Sequence, residues 1–424
     1  MMNGGCFLTA RRELNAMPKK RMMGSMPSAF FRFRNMPAAL LLAAAISISF
    51  CAHDQVDEPS SQVRNVILLI GDGMGDGQRQ AARYFLNGKE GMLEMDGLPS
   101  QGWYSTRSAN NTITDSAAAA TAMACGIKTN NGVLGMSPDL SVVANIIEEA
   151  KRRGKAVGLI TNVSLTNATP AGFGVHVPSR TMEAEIALQL LAADADVLMG
   201  GGENQFLPQG RIGCHPAQGR RTDGRDLVEE ARARGYAVLC TARELSDLDP
   251  ALAAKVLGLF ADEAFPRPFS PSLADMSAKA IAILARDPEG FFLMIEGGQI
   301  DSACHDNQAQ KMIDDVLGLD ETVSVARRFA MVNPGTLVVV TADHETGGVT
   351  VTPQPDGNAS RSDPFFMPDG SAFWVNWLSR GHTAADIPLN AGGPLCEWLA
   401  GNQPNTHLFE VMLEVLDMPE AFVR

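Results

Sequence analysis

From residue 65 onward, short apolar runs alternate with longer stretches in which apolar residues recur every three or four positions. The runs Val66–Ile70, Ala156–Thr161, Val197–Met199, Tyr236–Cys240, Phe291–Ile295 and Thr336–Thr341 predict strands. Amphipathic helices are predicted over Val142–Arg152, Met182–Ala193, Arg225–Arg234, Leu273–Ala285 and Ala309–Phe329. The first run has no polar alternation, which marks a strand covered on both faces. Strand–helix alternation of this kind gives an α/β fold with a mainly parallel central sheet and helices on both faces. Residues Thr352–Arg380, rich in Pro, Gly, Asp and Ser and holding Trp374 and Trp377, follow neither period. They read as a small irregular surface insertion near the site. No internal repeat is visible.

The ends of the chain qualify this picture. Within residues 1–50, a basic stretch (Arg11, Arg12, Lys19, Lys20, Arg21, Arg32, Arg34) precedes an apolar run from Ala38 to Phe50. That run is short for a bilayer span and reads as a leader or signal segment. It stops at Cys51, which leaves three readings open: acylation of Cys51, simple cleavage, or an uncleaved anchor. Met22, Met26 and Met36 are alternative starts. Residues 51–64 form a polar linker, and residues 65–424 are expected to make one catalytic domain.

The leader carries a net +6, and removing it from the chain's −13 leaves −19 on the body, which argues against nucleic acid as a partner. Beyond Cys6 and Cys51, the cysteines Cys125, Cys214, Cys240, Cys304 and Cys396 show no Cys-x-x-Cys spacing and so no zinc-ribbon framework. In an exported chain one disulfide is expected, with Cys214–Cys240 as the candidate pair.

Chemistry gathers where strands end. The first strand runs into Gly71-Asp72-Gly73-Met-Gly75-Asp76, a glycine-rich turn that matches neither dinucleotide nor P-loop spacing. A carboxylate in such a turn repels phosphate unless a cation lies between them. The strand at 291–295 delivers Glu296, then Asp301 and His305, which are four apart and share a face if a helical turn starts there. The strand at 336–341 delivers Asp343-His344, and His382 sits in a glycine-flanked loop. Oxygen and nitrogen donors without thiolates suit zinc, and added glutamate or hydroxyl oxygens suit magnesium. Ser116, in Asp115-Ser116 before a run of alanines, falls at a helix N-terminus that favours an anion.

Taken singly, these residues have ordinary roles: Ser116 as an N-cap, Asp72 as a turn residue, His382 as a solvated side chain. His53, His176, His215 and His407 read as structural or exposed. Acids and imidazoles at several strand ends together are costly to bury without a ligand, so the constellation outweighs its parts.

The set Ile70-Gly-Asp72-Gly-Met-Gly75, Asp115-Ser116-Ala-Ala, Ala168-Thr169-Pro170, His176-Val-Pro-Ser-Arg180, Glu296-Gly, Asp301 with His305, Thr341-Ala-Asp343-His344 and Gly381-His382-Thr383 resembles the alkaline phosphatase family, in order and over nearly all of residues 65–424. The resemblance implies a periplasmic or cell-surface phosphomonoesterase acting on small phosphate monoesters with two zinc ions and one magnesium ion. By matched position, Asp301, His305 and His382 would hold one zinc, and Asp72, Asp343 and His344 the second. Thr169, Glu296 and a shared Asp72 would hold magnesium. Ser116 would form a phosphoserine intermediate, and Arg180 would clamp phosphate oxygens. A homodimer stays open.

Two departures stand out. Asn167 replaces the family's usual acid or histidine two residues before Thr169, which predicts a weak magnesium site. Ser302 replaces a basic or aromatic residue found in some members, which predicts looser phosphate binding. The competing readings are a phosphodiesterase or phosphonate hydrolase of the same superfamily and a non-catalytic, metal-stabilised binding protein.

Overall fold

The computed structural model describes residues 64–418 apart from 356, 358 and 359. The leader, Cys51 and the linker up to residue 63 lie outside the described residues. From residue 65 the chain forms β1 (Asn65–Gly71), β2 (Ser100–Ser105), β3 (Ala156–Ser164), β4 (Val197–Gly201), β5 (Tyr236–Leu239), β6 (Lys255–Leu259), β7 (Phe291–Gly297), β8 (Thr336–Ala342), β9 (Glu345–Thr346), β10 (Thr350–Thr352), β11 (Phe365–Phe366), β12 (Ala372–Asn376), β13 (His382–Thr383), β14 (Ile387–Gly392) and β15 (Gly401–Pro404). Ten of these make one sheet in the order β15-β2-β14-β8-β1-β7-β3-β4-β6-β5. Its ladders are parallel except those of β14, which runs antiparallel to β2 and β8.

The unbroken apolar run of β1 is explained by its place in the middle of this sheet. Helices Asp76–Asn87, Leu273–Leu284 and Ala309–Val332 pack together as one group, and Ser116–Cys125, Ile146–Arg152, Ala168–Gly174 and His407–Asp417 as another. The two groups cover the two faces, so Val66 to Ile70 are all fully buried. At about 1.5–3 kcal/mol for each such side chain, this strand anchors the core. The helix caps are legible locally: Asn145 and Ser272 each close a capping box with the residue three positions on.

Four sheet strands escape the hydrophobic pattern. β2, Ser-Gln-Gly-Trp-Tyr-Ser, alternates buried and wetter positions but is too polar to stand out. β14 contains Pro388 and Asn390, both poor strand formers. β6 and β15 are short and carry Gly or polar residues.

Within the segment expected to be irregular, the short strands β11 and β12 join β10 in a three-stranded antiparallel sheet, β10-β12-β11, and turns and loops make up most of the rest. Phe373, Val375 and Trp377 are buried, and the Phe373 ring meets Tyr84 edge-on at 5.7 Å between centroids. Strands of two to five residues are too short to print a period, which is why the segment looked formless. It does adjoin the site, since the backbone N–H groups of Leu378 and Ser379 donate to the Gly347 carbonyl. Cys214 and Cys240 form the expected disulfide, and Cys125, Cys304 and Cys396 are free thiols.

Candidate active site

Register gathers the carboxylates. β1 lies between β7 and β8, and Ile70 pairs with both Glu296 and Thr341. Adjacent parallel strands are about 4.8 Å apart, so Asp72, Glu296 and Asp343 emerge side by side at one edge of the sheet. The turn after Asp72 depends on Gly73, at φ +70, whose N–H donates to Asp343 Oδ1 at 3.0 Å. A Cβ on Gly73 would lie 2.9 Å from both Asp301 Oδ1 and Thr346 Oγ1, so only glycine permits the approach. His344 is fully buried, with Nε2 3.1 Å from Asp343 Oδ2 and 3.6 Å from Asp72 Oδ1.

The second group comes from three further elements. Helix Gln299–His305 sets Asp301 and His305 one turn apart as expected, with His305 Nε2 3.1 Å from Asp301 Oδ2. Pairing of β13 with β9 brings in His382, whose Nε2 lies 3.8 Å from Asp301 Oδ1 and whose ring stacks on His344 at 3.5 Å between centroids. Nδ1 of His382 donates to the Thr114 carbonyl at 2.9 Å, and Nδ1 of His305 donates to the Arg380 carbonyl. A carbonyl only accepts, so each ring turns Nε2 inward.

The donor set fits divalent cations. Among the described residues, Asp72 Oδ1 and Asp343 Oδ2 are buried oxygens that no hydrogen-bond donor satisfies, and the Glu296 carboxyl has the Thr169 hydroxyl beside it. Leaving such carboxylate oxygens bare is expensive, and a cation satisfies them. Donor atoms of Asp72, Asp343 and His344 lie within 4.8 Å of one another, as do those of Asp301, His344 and His382. The first triple is the expected one. In the second, His344 stands with Asp301 and His382, and His305 lies alongside, its Nε2 3.1 Å from Asp301 Oδ2 and its ring centroid 5.2 Å from that of His382.

Protonation follows this crowding. Burial, then Asp343, Asp301 and Glu296, push the Asp72 carboxyl well above its ordinary range, and burial pushes Glu296 up to about 7. Burial also opposes ionisation of Asp301, but the His305 hydrogen bond and the nearby imidazoles outweigh it and hold that carboxyl at about 2. The Asp301 carboxylate in turn raises His305 to about 9. Burial lowers His344, which favours the neutral ring that binds metals.

Ser116 Oγ faces His344 Nε2 at 3.2 Å. The N-cap of helix Ser116–Cys125 is Asp115, whose Oδ1 accepts from the Ala118 N–H at 3.0 Å, so Ser116 is the first helical residue and its hydroxyl is not spent on capping. Asp115 Oδ2 accepts from the Gly132 N–H and from Arg180 Nη1, at 3.0 and 3.2 Å. Asn167 caps helix Ala168–Gly174, and its amide oxygen also accepts from Arg180 Nη2 at 3.3 Å. Asp115 and Asn167 thus hold two nitrogens of one guanidinium, and the amide oxygen expected beside a third cation faces Arg180.

Sequence reasoning missed the residues that brace the donors. Glu345 accepts from Gln78, Val349, Gly348 and Thr383, tying the chain after His344 to the chain after His382. Thr161, opposite Glu296 in the sheet, donates to Glu296 Oε2. Thr346 contacts both Asp301 and His344. Their signal was adjacency to the strand-end acids, easily overlooked for neutral hydroxyls. His176, His215 and His407 bond to backbone carbonyls away from these donors, in keeping with structural roles.

Residues 63–365 match the protein family described as Alkaline phosphatase. Alkaline phosphatase 3 of Bacillus subtilis is 31% identical, covering 90% of this chain and 96% of its own. Alkaline phosphatase of Escherichia coli is 33% identical, with 85% and 87% covered. The solved alkaline phosphatase of the Antarctic bacterium TAB5 superposes with a TM-score of 0.73 at 34% identity, covering 83% of this chain and 98% of that one. A variant of that enzyme was solved with Mg bound in its M3 site, at a TM-score of 0.72 and 32% identity over 85% of this chain and 99% of that one.

Proposed function

Because the chain belongs to the alkaline phosphatase family of metal-dependent phosphoric monoester hydrolases, we propose that it cleaves small phosphate monoesters through a phosphoserine on Ser116. The observation that carries this reading is the Ser116 hydroxyl, not spent on capping its helix, 3.2 Å from His344 Nε2 and near buried oxygens of Asp72 and Asp343 that no donor satisfies.

Asp301, His305 and His382 would hold one zinc, Asp72, Asp343 and His344 a second, and Asp72, Thr169 and Glu296 a magnesium. Bound cations supply Lewis acidity and neutralise charge on the attacking and leaving oxygens. The chain's own groups do the rest. Ser116 Oγ, its proton passed to water, attacks phosphorus in line with the ester oxygen, whose bond to phosphorus breaks and which takes up a proton from water to leave as the alcohol. The N–H groups of the first helical turn and the Arg180 guanidinium receive the remaining phosphoryl oxygens. Arg180 arrives oriented, since Asp115 and Asn167 fix it before substrate binds. Attack of water on the phosphoserine then releases phosphate and restores the hydroxyl.

The basic and apolar leader, with the Cys214–Cys240 disulfide, supports export to the periplasm or cell surface, with Cys51 as a site for lipid attachment. Periplasmic and membrane fractions should therefore hydrolyse p-nitrophenyl phosphate and leave its bis ester nearly untouched. Activity confined to the cytosol counts against export, and comparable turnover of the two esters counts against a monoesterase.

Asn167 permits a second test. Asn167→Asp would give Arg180 a charged acceptor, about 1 kcal/mol stronger than the amide. Arg180 should then be less available to phosphate, so inhibition by inorganic phosphate should weaken about fivefold, while the added anion lowers the magnesium concentration needed for half-maximal activity. Unchanged values for both would show that Asn167 neither restrains Arg180 nor borders the magnesium site.

A further inference from the structure

Three side chains form a short relay across the site: Asp301, Thr346 and His344. Thr346 Oγ1 lies 2.5 Å from Asp301 Oδ1 and 3.2 Å from His344 Nδ1. A threonine hydroxyl has one hydrogen to give, and an ionised carboxylate can only accept. The hydrogen therefore goes to Asp301, and the oxygen presents a lone pair to His344. Contact with Nδ1 is attractive only when Nδ1 carries a proton.

The other side of the ring pulls the opposite way. Nε2 lies 3.1 Å from Asp343 Oδ2, 3.6 Å from Asp72 Oδ1 and 3.2 Å from Ser116 Oγ; the carboxylates would draw a proton onto Nε2, whereas the Ser116 hydroxyl can donate or accept and by itself favours neither tautomer. A ring with Nε2–H cannot ligate a metal through that atom. His305 and His382 are turned by backbone carbonyls, which are permanent acceptors. Among the described residues no carbonyl bonds to the His344 ring, and a hydroxyl becomes a dependable acceptor only when its own hydrogen is committed elsewhere. Asp301 supplies that commitment, and the absent side chain of Gly73 leaves room for the Asp301–Thr346 contact.

We propose that Thr346 is the positioning residue that sets the tautomer of His344, keeping the proton on Nδ1 and the Nε2 lone pair open to a cation shared with Asp72 and Asp343. The inference rests on reading His344 as a metal ligand and deepens the function proposed for that site. It also couples Asp301 to the triple of Asp72, Asp343 and His344, because the Thr346 hydroxyl, oriented by Asp301, decides the ligand state of His344.

The test uses metal-free full-length protein labelled with nitrogen-15 at histidine, Thr346→Val and Thr346→Ser variants, and zinc as the probe. Long-range proton–nitrogen NMR reports which ring nitrogen is protonated, with the His344 signal assigned by its loss in His344→Ala. Wild type and Thr346→Ser should show Nδ1–H, and Thr346→Val should shift toward Nε2–H. Zinc affinity at this group should fall 10–100-fold in Thr346→Val, the usual cost of losing an outer-shell partner, and return in Thr346→Ser. A Thr346→Val protein that melts normally, keeps Nδ1–H and binds zinc as wild type does would overturn the proposal. If His344→Ala leaves zinc stoichiometry and affinity unchanged, it is instead the reading of His344 as a ligand that fails.

Discussion

Ser116→Ala should lose on the order of a thousandfold or more in turnover while binding inorganic phosphate nearly as well as wild type. The expectation follows from the division of labour in the site. Arg180 is held by Asp115 and Asn167, and the donor groups of Asp72, Asp301, Asp343 and the histidines are assembled without the Ser116 hydroxyl. An anion can therefore still dock, and only the attacking atom is missing. Helix stability should change little, because the cap is Asp115. Acid quenching of wild type with labelled substrate should trap a phosphoserine that peptide mapping places at Ser116. A label at Thr114 or Thr121 would show that another hydroxyl attacks, and rapid turnover by the alanine variant would remove the covalent step altogether.

Chelation should abolish activity and, in addition, make folding stability depend on pH in a particular direction. In metal-free protein, burial raises Glu296 to about 7 and holds Asp72 well above its ordinary value. A carboxyl whose folded pKa is raised favours the folded state while both states are protonated. That advantage is lost as pH rises from the unfolded pKa through the folded one. For Glu296 the window runs from about 4.5 to 7, and the loss is on the order of 3 kcal/mol, to which Asp72 adds in the same direction. His305, raised to about 9 by Asp301, likewise contributes at neutral pH and fades above it. Asp301 itself, held at about 2, loses its contribution only in strong acid, outside this window. Metal-free protein should therefore melt several degrees lower at pH 8 than at pH 5, and added zinc should restore stability most at the higher pH. Scanning fluorimetry at several pH values, with and without zinc, measures this. Melting that is independent of both pH and zinc would mean that these acids do not face a cation.

Much of the site was legible because its residues belong to the backbone logic of the sheet. β1, β7 and β8 are fully buried, so their sequences are unmixed apolar runs, and an acid at the end of each stands out against that background. Asp301 and His305 were legible for a similar reason, since a spacing of four has a definite meaning on a helix. Other features left no such mark. β14 and β2 lie toward the mixed end of the sheet, beside the edge strand β15, where Pro388, Asn390 and Gly102 are buried yet contradict strand propensity. The Phe373 sheet is held by contacts with Tyr84 and Phe365, far away or too short in sequence to form a pattern. The role of Asn167 could not be read in advance, because it depends on the reach of Arg180, thirteen residues downstream, around a helix and a loop.

The side-by-side placement of β1, β7 and β8 also bears on when, during folding, the chain becomes an enzyme. Asp72 is met early in synthesis, but its partners lie 229, 271 and 272 residues later at Asp301, Asp343 and His344, with His382 later still. Closing loops of that length delays the contacts relative to local helices and hairpins, so β1 must wait for two strands from the last third of the chain. A ribosome-bound or truncated chain ending before β8 would lack one flank of β1 and two donors of the buried triple. Competence is thus expected late in folding, once β8 and the residues that follow it have joined β1.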